Sequence, residues 1–143
     1  MNDYRHILFA TDFSEPSRVA AQRAKLEASA HTARLSLIHV IEHFPVGMPT
    51  DWVAPENADP ATYYRTRAAT ELAQLAEELE YQDAEQKVIV TASSASHAIV
   101  DYARQQQVDL IVTGIRGSWV SGMLGSTAMA VVHQASCDVL LVR

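Results

Sequence analysis

The residues of this sequence best suited to chemistry are four of its five glycines, which lie within one short stretch. They are Gly114, Gly117, Gly122 and Gly125, and a strand-like apolar run precedes them. Glycine lets the backbone come close to a ligand. The helix-like run that follows, 128–135, would present unpaired amides and a positive dipole end. The stretch therefore predicts an anion-binding loop, and the alternative is a flexible connector with a helix cap.

The glycine spacing matches neither of the common nucleotide-binding fingerprints. The stretch lacks the phosphate-binding lysine of the Gly-x4-Gly-Lys-Ser/Thr loop, and it lacks Gly-x-Gly-x-x-Gly. It ends instead on the hydroxyl residues Ser126 and Thr127. No Gly-x-Ser-x-Gly elbow exposes a serine nucleophile. We therefore assign no catalytic residue, and the chemistry predicted for the loop is binding.

The elements that must position this loop are predicted by five short apolar runs that alternate with helical patterns. The strands are expected at 6–10, 35–41, 87–91, 110–113 and 139–142, and the helices at 16–30, from 60 onward, at 96–107 and at 128–135. This alternation is typical of βαβ units. It predicts an α/β fold with a doubly wound, five-stranded parallel sheet and helices on both faces. We expect one domain, 1–143, without a linker.

A polar turn, Thr11-Asp12-Phe13-Ser14, follows the first predicted strand. In doubly wound sheets, ligands bind beyond the carboxyl ends of the strands, where the winding reverses. If the first and fourth strands are neighbours, Thr11 and Asp12 face the glycine stretch across one crevice. The residue patterns alone leave that adjacency open.

The composition and charge of the chain argue against nucleic acids and membranes as partners. The chain has 143 residues with 48% hydrophobic and 20% charged residues, which is ordinary for a globular protein. Its net charge of −6 argues against a general nucleic-acid or membrane-surface binder. No window approaches the roughly 18 apolar residues of a membrane span, and no secretory signal is evident. We therefore expect a cytoplasmic protein without nucleic-acid or membrane partners.

Cysteine and histidine usage predicts no metal site. Cys137 is the single cysteine, so a disulfide framework is excluded, and its place beside the last apolar run favours a small core residue. His39 and His43 have a spacing that suits metal ligands only on a helix, whereas His39 lies on a predicted strand.

The chain resembles the universal stress protein family along its full length. The resemblance rests on five blocks in the right order: Ile7-Leu-Phe-Ala-Thr-Asp-Phe-Ser14, Ser36-Leu-Ile-His-Val40, Val108-Asp-Leu-Ile-Val-Thr-Gly114, Gly125-Ser126 and Cys137-Asp-Val-Leu-Leu-Val-Arg143. It implies the strand order 3-2-1-4-5. It also implies a homodimer, for which the last strand offers the apolar edge residues Val139, Leu140, Leu141 and Val142.

The resemblance also implies a binding site for an adenine nucleotide. In ATP-binding members, the Asp after the first strand and the backbone at the end of the second strand hold adenine, which here implicates Asp12, beside Thr11, and Val40. The first glycine lies by the ribose, which here is Gly114. The residues implied at the phosphates are Gly117, Gly125, Ser126 and Thr127. ATP is the implied cofactor, with Mg²⁺ only if ATP binds.

One departure from the family pattern leaves alternatives open. Seven residues separate Gly117 from Gly125, whereas the ATP-binding members have nine. The family also has a class with a shorter loop that does not bind ATP, in which this chain would act as a dimeric interaction module. A slow ATPase or nucleotidyl transferase is a third interpretation, although the loop has no phosphate-binding lysine and the sequence shows no clear general base.

Overall fold

The computed structural model describes residues 3–42, 54–56, 59–81, 83–115 and 126–143. Within these ranges five strands alternate with four helices, which confirms the predicted α/β class. The elements are β1 (His6–Ala10), α1 (Glu15–His31), β2 (Arg34–Glu42), α2 (Pro60–Leu79), β3 (Glu85–Thr91), α3 (Ala95–Gln105), β4 (Leu110–Gly114), α4 (Ser126–Gln134) and β5 (Asp138–Val142).

All five strands pair in parallel, in the order β3-β2-β1-β4-β5 that the family resemblance implies. The central strand is β1, where Ile7 pairs with Leu35 of β2 on one side and with Leu110 of β4 on the other. Because the chain winds outward from β1 in both directions, the winding reverses between β1 and β4. The adjacency that the residue patterns left open is therefore present.

Two helices cover each face of the sheet. On one face Ile7, Phe9 and Leu37 pack against α1 and α2, and the side of α1 that meets the sheet is a row of fully buried alanines. On the other face Leu8 and Ile38 pack against α3 and α4. Small alanine side chains let α1 lie close to the sheet, so the end of β1 and the start of α1 are held firmly together.

The two edge strands are less buried than the central strand β1. Every residue of β1 is buried, whereas Val139 to Val142 of β5 are half-buried and Glu85 to Lys87 of β3 are exposed. An edge strand has a neighbour on one side only, so the helices shield it less completely.

The helix starts follow their sequence signals. Ser14 caps α1 by accepting a hydrogen bond from the Ser17 amide at 3.3 Å, and Pro60 opens α2 as expected. The helix α4 begins at Ser126, two residues before the predicted apolar run. Of the helices in the described ranges, none is long and apolar enough to cross a membrane.

Candidate functional site

The carboxyl edge of β1 and β4 brings together the two segments that the sequence singled out. Phe9 pairs with Val112, and two residues further along each strand come Thr11 and Gly114. The helix α4 must start at this same edge, because it leads back to β5, which runs parallel to β4. The polar turn after β1, the end of β4 and the N-terminus of α4 therefore share one edge of the sheet.

The hydroxyl groups of the turn after β1 stabilise its local conformation. Thr11 is 1% exposed, and its hydroxyl lies 2.8 Å from the hydroxyl of Ser17 in α1. The same Thr11 oxygen accepts a hydrogen bond from the Phe13 amide at 3.0 Å. Phe13 itself has φ of 63°, in the left-handed region that bulky residues rarely adopt. The turn is therefore a defined conformation rather than a loose connection.

Asp12 lies at the centre of this turn and is 3% exposed. Its Oδ1 accepts from the Ser14 amide at 2.9 Å and from the Ser14 hydroxyl at 2.5 Å. The N-terminus of α1 follows directly, and its dipole stabilises a negative charge at this place.

His39 is the residue of this region that sequence reasoning missed. It lies on β2, is 3% exposed, and donates from Nδ1 to the carbonyl oxygen of Thr11 at 2.8 Å. Its ring packs on that of Phe13, with centroids 4.4 Å apart and planes inclined by 33°. Burial lowers its pKa below the ordinary 6.5, against the opposing effects of the Thr11 hydrogen bond and the Asp12 charge, and this favours the neutral imidazole.

A signal for His39 was present in the sequence. Side chains alternate along a strand, so His39 shares a face with the buried Leu37 and Ile41. A histidine on the buried face at the carboxyl end of a strand points to a defined polar contact. The metal pairing with His43, which the sequence analysis disfavoured, involves a residue outside the described ranges.

Val40 follows His39 on β2 and is 4% exposed. It pairs with Ile89 of β3 and lies two residues beyond Ile38, the partner of the last residue of β1. The carbonyl of Ile38 accepts from the Thr11 amide at 3.0 Å, so the backbone of Ile38 faces the β1 side. Since backbone groups alternate along a strand, those of Val40 face the same side, beyond the end of β1.

The predicted phosphate-binding residues fall partly within the described structure. Gly114 ends β4, and the next amide, of Ile115, donates to the Val142 carbonyl at 2.8 Å, which holds this strand end against β5. Ser126 and Thr127 lie in the first turn of α4, where backbone amides have no partner within the helix. Gly117 and Gly125 lie outside the described residues.

A cavity of 410 Å³ opens at the same edge, between the ends of β2 and β3 and the start of α2. Its lining includes Ile41 and Val90 from the strands and Asp59, Pro60 and Tyr64 from the helix side. None of the predicted site residues is among the described residues that line it. It is a neighbour of the candidate site, joined to it through the contact of Phe13 with the Ile41 cluster.

Metal and thiol chemistry find little support in the described part of the chain. There, no group of three or more histidine, cysteine, aspartate or glutamate residues is arranged to hold a metal ion. Cys137 is half-buried against the α3 side of the core. Burial raises the pKa of its thiol, with the nearby charge of Asp138 adding to the effect, and the reactive thiolate is therefore disfavoured.

Comparison with known proteins identifies the family that this chain matches. The profile of the Universal stress protein family matches residues 3–143. Universal stress protein A homolog 1 of Coxiella burnetii is 33% identical over 140 residues, which cover 97% of this chain and 96% of the relative. A universal stress protein of Thermus aquaticus is 35% identical over 142 residues, which cover 98% and 99%.

Solved structures share the fold along the whole chain. The universal stress protein UspA of Lactobacillus plantarum is 25% identical with a TM-score of 0.76, covering 100% of both chains. A universal stress protein crystallised in complex with cAMP is 24% identical with a TM-score of 0.74, covering 99% of both. The Archaeoglobus fulgidus protein in complex with dAMP is 21% identical with a TM-score of 0.66, covering 99% of this chain and 100% of its own.

Proposed function

This chain belongs to the universal stress protein family, and from that premise we propose that it binds an adenine nucleotide at the carboxyl edge of β1 and β4. The observation that carries the proposal is the pairing of these two strands, which sets the Asp12 turn beside the end of β4. A base-binding carboxylate and an anion-binding helix N-terminus thereby share one edge. Neither group alone distinguishes a nucleotide from other ligands.

The chemistry of the edge suits the two ends of a nucleotide. The exocyclic amino group of adenine is a donor, and the carboxylate of Asp12 is an acceptor at the same edge of the sheet as the backbone of Val40. Gly114 has no side chain to exclude a ribose from the end of β4. The first turn of α4, with Ser126 and Thr127, offers amides and hydroxyls to phosphate oxygens.

Relatives of the same fold support adenine as the base. Two structures that match this chain over nearly its full length are complexes with cAMP and with dAMP. Both ligands carry adenine and a single phosphate. We extend the proposal to ATP, accompanied by Mg²⁺ in that case only, with Gly117 and Gly125 completing the phosphate contacts. We also propose that residues 1–143 form a single domain and that the protein is cytoplasmic.

Titration calorimetry of the purified chain tests this proposal directly. ATP, ADP, cAMP and dAMP are titrated with and without Mg²⁺, and GTP serves as the matched control. Guanine presents a carbonyl acceptor where adenine presents its amino donor, so a carboxylate should disfavour it. We expect binding of at least one adenine nucleotide and weaker binding of GTP. Absence of binding for all four adenine compounds would remove the proposal, and equal binding of GTP would remove the role of Asp12.

A second candidate function, a dimeric interaction module, is favoured by the outer edge of β5. Within the described residues, β5 pairs with β4 on one side and has no strand on the other. Its residues 139–142 are apolar and half-buried. On α4, Met129 is 46% and Val132 40% exposed. We propose that two copies pair along this edge, since an unpaired strand beside exposed apolar side chains is suited to association.

Light scattering at micromolar concentration tests the dimer independently of any nucleotide. The expected mass is twice 15.7 kDa. Leu141→Lys places a charge on the edge strand and should yield the monomer. Val19→Lys is the matched control, because Val19 is an exposed apolar residue on α1. A wild-type monomer, or a dimer that survives Leu141→Lys, would contradict this interface.

A further inference from the structure

The turn that carries Asp12 needs external support. Phe13 adopts a positive φ of 63°, which a bulky side chain seldom adopts without surrounding constraints. The hydroxyl and carboxylate bonds described above join residues 11–17 to each other. Bonds of this kind shape the turn, and the Thr11 amide, which donates to the Ile38 carbonyl at 3.0 Å, is its backbone contact with β2.

His39 provides a contact between the turn and β2. Its Nδ1 lies 2.8 Å from the carbonyl oxygen of Thr11. A carbonyl oxygen only accepts, so Nδ1 carries the proton, and this assignment follows from the partner rather than from an observed hydrogen. The ring of His39 also packs on that of Phe13 at 4.4 Å. One side chain therefore contacts both residues that flank Asp12.

The strand that carries His39 is held in place on both sides. His39 is 3% exposed and lies within β2, which pairs with β1 on one side and with β3 on the other. Val40, the other residue implied at adenine, is its immediate neighbour in sequence. The hydrogen bond from His39 thus connects the strand that carries Val40 to the turn that carries Asp12.

We propose that His39 is a positioning residue of the nucleotide site, which holds the Asp12 carboxylate in register with the backbone of Val40. It acts through the Thr11 carbonyl and the Phe13 ring, on the side of β2 opposite to the side chain of Val40. This inference rests on the proposed nucleotide binding for its function. The geometric part, that His39 fixes the turn, stands without any ligand.

The test compares His39→Leu with His39→Asn. Leucine removes the donor and keeps an apolar side chain of similar bulk. Asparagine keeps an N–H donor close to the position of Nδ1. The control is His6→Asn, which alters a buried histidine of equal exposure at the other end of the sheet. ATP affinity is measured by calorimetry, and amide exchange of Phe13 and Ser14 is measured by NMR in the ligand-free protein.

We expect His39→Leu to weaken ATP binding about tenfold and to accelerate the amide exchange of Phe13 and Ser14 about tenfold, because one buried hydrogen bond is lost. His39→Asn should restore most of both. His6→Asn should lower the melting temperature and change neither. A folded His39→Leu protein with unchanged affinity and exchange would overturn the inference.

Two further outcomes keep the result decisive. If the wild type binds none of the adenine nucleotides, the proposed function fails, and the amide exchange still decides whether His39 fixes the turn. If His39→Leu does not fold, His39→Gln replaces it, because its donor is displaced by one more bond from the position of Nδ1. Equal ATP affinity and equal exchange for His39→Gln, His39→Asn and wild type would then overturn the inference.

Discussion

The two ends of the sheet each hold a buried histidine, and they use it differently. His6 at the amino end and His39 at the carboxyl end are both 3% exposed. His6 Nδ1 donates to the carbonyl of Gln106 at 3.1 Å, and Nε2 lies 2.7 Å from the hydroxyl of Ser36. His39 instead supports a turn whose carboxylate faces a proposed ligand. We call the amino end closed, because its buried polar groups bond to one another, and the carboxyl end open, because it carries the proposed ligand site.

The direction of the helices explains this difference. Helices in a parallel α/β sheet run opposite to the strands, so their carbonyl ends gather at the amino edge of the sheet. The C-cap of α3 supplies the Gln106 carbonyl that His6 satisfies. Asp109 completes this edge by accepting from the amides of Arg5 at 2.9 Å and His6 at 3.0 Å. At the carboxyl edge the helix amides gather instead, and they suit an external anion.

The largest effect is expected on the free energy of unfolding, when His6 at the closed amino end is replaced. His6→Leu leaves the Ser36 hydroxyl and the Gln106 carbonyl without their buried partner. We expect a loss of about 3 kcal/mol in the free energy of unfolding and a fall of about 10 °C in melting temperature. Nucleotide affinity should stay unchanged. His97→Leu, which alters an exposed histidine on α3, is the control for denaturation experiments. A matching loss of affinity in His6→Leu would show that the two ends are coupled.

The next effect is expected at the open end. Asp12→Asn keeps an oxygen for the bonds from Ser14 but removes the charge that an adenine amino group would meet. ATP affinity should fall about tenfold, because a hydrogen bond to a neutral acceptor is weaker than one to a charged acceptor. The melting temperature should change little. Asp101→Asn on α3 is the matched control, since its carboxylate is exposed. Unchanged affinity in Asp12→Asn would remove this residue from the site.

A smaller effect concerns the contribution of His39 to the pH dependence of stability. Burial lowers the pKa of His39 below 6.5, so the unfolded chain takes up a proton at a higher pH than the folded chain. The free energy of unfolding should therefore fall as the pH drops below about 6.5, by at most about 1.4 kcal/mol per pH unit. The fall stops once the pH is below the pKa of the folded state.

Urea unfolding between pH 7.5 and pH 5 measures this effect. In His39→Asn the contribution is absent, so its stability should decrease less steeply with acidity than that of the wild type. The difference between the two curves removes the contributions of the other histidines. Parallel curves would show that His39 titrates alike in the folded and unfolded chains.

The smallest effect is expected at the rim of the closed end. Arg34 forms an ion pair with Glu85, and both side chains are about half exposed. The hydrogen bond from Arg34 lowers the pKa of the Glu85 carboxyl. An exposed pair contributes little to stability, so Arg34→Gln should leave the melting temperature within about 1 °C. A large drop would mean that the rim, and not the buried His6, holds the amino end together.

Much of the fold could be predicted from the sequence because its signals are local. Apolar runs gave β1 its bounds, and Pro60 marked the start of α2. The first turn of α4 was missed, since Ser126 and Thr127 add nothing to an apolar pattern. The partial exposure of β3 and β5 depends on strand order, because an edge strand has a neighbour on one side only. That order came from the family resemblance and not from residue spacing.

The candidate site was predictable only in part. Asp12 and Gly114 stand out because a polar residue and a glycine follow apolar strands. His39 did not, because its role depends on the carbonyl of Thr11, 28 residues away in sequence. Such a contact exists only once β1 and β2 are paired. Gly117 and Gly125 remain predictions, and so does their approach to a phosphate.

The central position of β1 has a consequence for synthesis of the chain. Ile7 pairs with Leu35, yet its other partner is Leu110. At about 5–20 residues per second, the ribosome needs several seconds or more to deliver β4 after β2. During that interval one edge of a strand that is fully buried in the finished protein has no neighbour. We expect the half built from β1, β2 and β3 to form first, and the crevice between β1 and β4 to exist only when the nascent chain is nearly finished.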